Sequence, residues 1–298
     1  MVQPPVFDIY NRAKKSFSKI GGSLWLYIAM QICMSFILNL IGSFIFMNVY
    51  MSYTLWNAII LFIISLLSGL ILVLFMNSTF SKKVRDLNFD IKPKETLDTI
   101  GMMLLVNYGI CVIGLLFSKL GVPDTSPDYS FSLDSLYNIF TFLSVVIVAP
   151  IFEELIFRGM IYNQMARYSK MFAIVMTSVL FGLLHLNLSQ SIPAFFISLV
   201  LCYMYEKTQS LSVTIFGHAA NNFIVSLVGY YNGAIVIVGL LILYGIYAAV
   251  RNGKEFLAFV QSESMDKELF KTFVRTPQIS VYLFFTIAGI IFDLIRSI

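Results

Sequence analysis

The chain has 298 residues, of which 58% are hydrophobic and only 12% charged, with a mean hydropathy of +0.84. That composition excludes an ordinary soluble domain and reads as a polytopic membrane protein. The formal charge of +4 is small and scattered among connecting segments. No glycine-rich phosphate loop follows a strand pattern, so nucleic acid and nucleotide are excluded as partners.

Taken in chain order, the first twenty residues are polar and basic (Arg12, Lys14, Lys15, Lys19). The apolar run behind them is too long for a signal-peptide core and lacks a small-residue cleavage site, so it is expected to remain in the mature protein. Runs long enough to cross a bilayer fall near Leu24–Met47, Leu55–Met76, Ile100–Leu116, Leu136–Arg158, Met171–Leu188, Ile192–Tyr205, Val213–Leu227, Ala234–Val250 and Ser280–Ile298. The sixth is short and holds Pro193; the ninth carries Asp293 and Arg296, and each leaves open whether it crosses fully. The fold class expected is therefore all-α, a transmembrane bundle of about 8 to 9 spans. No internal repeat or linker divides residues 1–298, so they read as one membrane domain.

Basic residues alternate from loop to loop. Lys82, Lys83, Arg85, Lys92 and Lys94, then Arg167 and Lys170, then Lys207, then Arg251, Lys254, Lys267, Lys271 and Arg275 fall on the same side as the basic N-terminal segment. The opposite loops carry almost no basic charge, and one holds Asp124, Asp128 and Asp134. The positive-inside rule makes the first side, and the N-terminus, cytoplasmic. The segment 252–278 is amphipathic and reads as an interfacial helix. Cys33, Cys111 and Cys202 lie in apolar runs with no CxxC spacing and read as packing residues.

Charge inside the fourth run is the informative feature. Glu153, Glu154 and Arg158 stand in PIFEELIFRG, where a bilayer interior penalises ionised side chains by roughly 2.5–3.5 kcal/mol. Glu154 and Arg158 are i and i+4 and share a helix face, whereas Glu153 points about 100° away. One carboxylate is thus neutralised and the other left available. Pro150 has no amide to donate, which orphans the carbonyl of Val146 just before the acidic pair and opens a way in for water. The plainer alternative is a membrane boundary, with Arg158 reaching to the headgroups.

The chain has two histidines, and both fall in apolar runs. His185 follows Phe181 by one turn, and His218 precedes Asn222 by one turn. An antiparallel hairpin centred on Ser169 would bring Glu153 and His185 level, provided that the fourth helix continues to about Ala166. From the next turn near Gln209, His218 lies about 14 Å and Asn222 about 20 Å along their helix. Both belong to the cytoplasmic two-thirds of the membrane.

EELIFR, FGLLH and HAANN, in this order and spacing, resemble the EExxxR, FxxxH and HxxxN motifs of the CAAX prenyl protease and bacteriocin-processing family, also called Abi. The resemblance covers about residues 136–227. It implies an all-helical intramembrane endopeptidase in which Glu153 is the general base, His185 helps hold the water, and His218 with Asn222 stabilises the oxyanion. Glu154 and Arg158 take supporting roles. It implies a peptide or protein substrate, lipidated or membrane-associated in some relatives, surrounding membrane lipids, and a link to bacteriocin processing and immunity in bacteria.

The residue chemistry agrees. A glutamate partly removed from water has a raised pKa suited to taking a proton from water and returning it to an amine. No cofactor is needed on this reading; the alternative is zinc held by Glu153, His185 and His218. Two other function classes stay open. One is a non-catalytic scaffold or bacteriocin-immunity protein that keeps the fold; the other is a transporter using the same buried groups.

Overall fold

The computed structural model describes residues 6–46, 53–119, 136–228, 233–263 and 265–297. These form ten helices: α1 (Val6–Phe46), α2 (Tyr53–Thr79), α3 (Pro93–Lys119), α4 (Leu136–Met165), α5 (Lys170–Leu183), α6 (Leu188–Thr208), α7 (Leu211–Val228), α8 (Ala234–Ser262), α9 (Lys267–Val274) and α10 (Pro277–Ser297), with a single 3₁₀ turn at Val84–Asp86. Eight of them are long and apolar enough to cross a membrane, and α5 is the apolar helix that is shorter. The acidic loop with Asp124, Asp128 and Asp134 lies outside the described residues.

Several expected boundaries shift. α1 is 41 residues long, so Arg12, Lys14, Lys15 and Lys19 are helical rather than a tail. α6 is a full 21-residue helix that carries Pro193 inside it, so the sixth run is not broken there. Asn187 caps it, accepting from the Gln190 amide at 2.8 Å. The fifth apolar run ends early: α5 has 14 residues, and the chain turns at 184–187 with Leu186 in the left-handed region (φ 58°).

The core lies where α1, α4, α5 and α9 meet. Phe17, Phe172 and Phe273 are almost fully buried, and their ring centroids lie 5.2–5.6 Å apart. α9 turns Leu269 and Phe273 into the protein and leaves Lys267, Glu268, Phe270 and Lys271 exposed. Its amphipathic pattern was legible, but its partner is α1. Cys202 is buried, whereas Cys33 and Cys111 are exposed among lipid-facing side chains and do not serve as packing residues.

Glycines bring helices into close approach at two places, the first of them beside the charged segment of α4. Gly69 of α2 leaves room for the Phe152 ring, which a Cβ there would meet at 2.4 Å. Gly101 of α3 and Gly245 of α8 bring those two backbones together, and Asp98 joins them again by accepting from Tyr244 (2.8 Å) and pairing with Arg251.

The basic turns gather at one end of the bundle. Residues 88–92 are stitched to the α6–α7 turn by Leu211 N to Asn88 O (2.8 Å), Ser210 Oγ to Asp90 O (2.6 Å), Ser212 Oγ to Phe89 O (2.6 Å) and Lys92 Nζ to Thr208 O (2.7 Å). Arg167 donates to Ser81 and Lys170 pairs with Glu206 at 2.6 Å. Each loop that shares the basic character thus shares a location.

Candidate active site

α4 is one continuous helix interrupted by two wide π segments, Leu143–Val148 and Leu155–Tyr162. Such segments occur often at functional sites because the extra residue re-aims the side chains that follow. The helix runs to Met165, with Ala166 as its cap, so the condition for the hairpin centred on Ser169 is met.

Glu154 and Arg158 are both fully buried, with Arg158 Nη1 donating to Glu154 Oε1 at 2.8 Å. This excludes the membrane-boundary reading of Arg158, whose guanidinium points inward. Its Nη2 donates to Ser198 Oγ on α6 at 2.7 Å and to the Ser198 carbonyl at 3.3 Å. Its Cζ sits 4.9 Å above the Phe181 ring, a contact that favours the charged form in a dry site.

Glu153 points elsewhere, as the 100° step requires. Its side chain is 19% exposed, and it makes no hydrogen bond among the described residues. His218 of α7 joins the two carboxylates: Nδ1 lies 2.9 Å from Glu154 Oε1, and Nε2 lies 3.8 Å from Glu153 Oε2. With Nδ1–H held by Glu154, the neutral ring presents an Nε2 lone pair, and the imidazolium presents an Nε2–H donor.

His185 sits in the turn that follows α5, not within a span. Its Nδ1 lies 3.1 Å from the Phe181 carbonyl. Phe181 stands between the two histidines, with its ring centroid 5.4 Å from His185 and 5.9 Å from His218. This one ring therefore packs on both histidines and on Arg158, and all three motifs meet on it. Among the described residues no three His, Cys, Asp or Glu side chains are arranged to hold a metal.

Asn222 donates through Nδ2 to the Val145 carbonyl in the first π segment, at 2.9 Å. The orphaned carbonyl is thus Val145 rather than Val146, because the wide turn moves the hydrogen-bond register by one residue. Sequence reasoning also missed Ser198: a serine in an apolar helix ordinarily bonds back to its own backbone, and nothing local marks this one as the partner of an arginine forty positions away. Gly182 was unmarked too, although a Cβ there would meet the Ser191 carbonyl at 2.8 Å.

Comparison with known proteins finds two similarities. Residues 135–224 match the family model described as type II CAAX prenyl endopeptidase Rce1-like. A Bacillus subtilis (strain 168) protein named "Putative membrane peptidase YdiL" is 31% identical over 150 residues, covering 44% of this chain and 60% of that protein. The chain thus matches less than two thirds of that relative's length. No solved structure matches the chain. The stretch 135–224, which holds Glu153, Glu154, Arg158, His185, His218 and Asn222, is thus similar to the Rce1-like CAAX prenyl endopeptidases.

Proposed function

We propose that the protein is an intramembrane endopeptidase in which Glu153 activates water to cleave a peptide bond near the cytoplasmic face. The observation that carries the reading is the unequal treatment of two adjacent carboxylates. Glu154 is sealed with Arg158, whereas Glu153 is open and unbonded with a histidine nitrogen 3.8 Å away. A structural ion pair needs only one of them. A general base must remain accessible to the proton it takes, and Glu153 is.

The step divides as follows. Water donates one hydrogen to Glu153 and the other to His185, whose Nε2 is an acceptor when Nδ1–H is held by the Phe181 carbonyl. The water lone pair is then directed at the scissile carbonyl carbon. His218, through an Nε2–H, and the second amide hydrogen of Asn222 donate to the developing oxyanion. Glu153 returns its proton to the leaving amine as the tetrahedral carbon collapses, and a carboxylic acid and a free amine result. The substrate is a peptide or protein held at the membrane, with a lipid-modified C-terminus as the class the family name points to. On this reading the N-terminus is cytoplasmic, on the same side as the basic turns.

The direct test compares peptide termini in membranes and medium from cells making the wild-type protein or Glu153→Gln. The amide keeps the shape but accepts no proton from water, so the new termini should disappear while protein level and insertion stay normal. Retention of more than about a tenth of wild-type cleavage rules out the general-base assignment. The metal-free mechanism has its own check. Activity should survive a membrane-permeable zinc chelator, and His185→Ala should leave the metal content of the purified protein unchanged. Zinc at one equivalent, lost in His185→Ala and restoring activity to chelated wild type, would replace this mechanism with a metal-bound one.

A further inference from the structure

The first π segment of α4 has a cause and a fastening, and they come from different parts of the chain. In an ordinary α-turn the Val145 carbonyl would receive the Ala149 amide, but that amide donates to Ser144 O. In the wide register its donor would be residue 150, which is proline and has none. Both backbone partners are therefore lost at Val145, and the side chain of Asn222 on α7 supplies the replacement at 2.9 Å. The wide turn itself follows from Pro150, whose ring would collide with the carbonyl of Val146 in a tight α-turn.

We propose that Pro150 and Asn222 act together as a register lock that aims Glu153: the proline opens the turn and the asparagine holds it open. The extra residue in the turn rotates everything after it by about 100°. Closing the turn would carry Glu153 toward the direction now held by Glu154, and would swing Glu154 and Arg158 together away from His218 on α7 and Ser198 on α6. Which of two identical carboxylates is sealed and which is open is thus decided one turn upstream. Asn222 spends one amide hydrogen on Val145 and keeps the other. Both residues are positioning residues in this role, acting on Glu153 through the Val145 carbonyl. The structural half of the inference is independent of any activity; its catalytic half rests on the proposed function.

Thermal unfolding of the purified protein in detergent, with no substrate present, tests the structural half. Asn222→Ala should lower the midpoint by about 2–4 °C. Asn222→Asp should lower it further, since a carboxylate oxygen would then face the carbonyl. In a Pro150→Ala background, where residue 150 regains an amide, Asn222→Ala should cost less than half as much. An unchanged midpoint in Asn222→Ala overturns the lock, as does an equal loss in both backgrounds. If Pro150→Ala does not fold, the Ala and Asp variants at 222 still decide.

The catalytic half is read from the acid limb of the pH–rate profile in Pro150→Ala, on a substrate identified by the terminus comparison. Glu153 there faces Glu154 and Arg158 from its own helix, His218 from α7 and Tyr27 from α1. A re-aimed Glu153 changes its distance from His218 and Tyr27, which lie on other helices, and the limb should move by more than about half a unit. A limb in the wild-type position with only a lower maximum means fewer folded molecules, and overturns the aiming role. If no hydrolysis is found even in the wild type, the proposed function fails, while the unfolding result still stands or falls by itself.

Discussion

At the scale of single residues, Glu154 is the side chain on which most others depend. Its Oε1 receives both Arg158 and His218, so removing it strands two groups at once. Glu154→Ala should therefore lower stability by about 3–5 kcal/mol, the cost of an uncompensated buried charge. Arg158→Ala should cost less, because the carboxylate keeps its hydrogen bond with His218 Nδ1 at 2.9 Å. Glu154→Gln combined with Arg158→Gln should be milder than the sum of the two single changes. Unfolding midpoints of these variants in one detergent check the order; an Arg158→Ala protein less stable than Glu154→Ala would show that His218 does not compensate. The i, i+4 logic made this pair legible before any coordinates. The part played by His218 was not legible, because spacing along α7 says which face His218 shares with Asn222 but not which carboxylate it meets.

At the scale of elements, the sequence showed where helices run better than how they are wound. A π turn and an α turn carry the same apolar residues, so nothing in LSVVIV distinguishes them except the proline that follows. The end of α5 was hidden for a related reason: Leu184, His185 and Leu186 continue the hydropathic run, and no glycine marks the left-handed residue. That turn is held by its own groups. Asn187 Nδ2 donates to the His185 carbonyl at 3.0 Å, His185 N reaches Gly182 O at 3.2 Å and Leu186 N reaches Leu183 O at 3.3 Å. α5 is about 21 Å long at 1.5 Å per residue, short of a hydrocarbon core of about 30 Å. The turn thus lies at a depth where unpaired backbone is not tolerated. Inserting one glycine between Leu186 and Asn187 should reduce the folded yield in membranes several-fold, whereas the same insertion between Lys254 and Glu255, on an exposed stretch of α8, should do less. Fluorescence-detected size exclusion compares them; equal yields would show that the turn is an ordinary loop.

At the scale of the whole molecule, composition gave the class, the apolar runs gave about 8 to 9 spans where eight helices are long and apolar enough to cross, and loop charge grouped the turns that share one end. What it could not give was the order of neighbours around the bundle, since apolar helices facing lipid and apolar helices facing one another differ little in sequence. α1 shows both environments in a single element: Ala13, Phe17, Ile20 and Leu24 are fully buried, whereas Ile32, Phe36, Ile37 and Leu40 are exposed. The change of neighbour occurs midway along an uninterrupted helix, and the apolar residues on its two sides are of the same kind.

The buried half of α1 has a consequence for how the molecule is made. Its partners are Phe172 on α5 and Phe273 on α9, and Tyr10 reaches Asp266 across 256 positions of chain. A ribosome delivers α1 early and α9 late, at about 5–20 residues per second. For many seconds the first helix inserts without the surface it was shaped to meet. Lipid shields its outer half during that time; Arg12, Lys14, Lys15 and Lys19 keep the inner half near water. The last helices to emerge then close the bundle against the first.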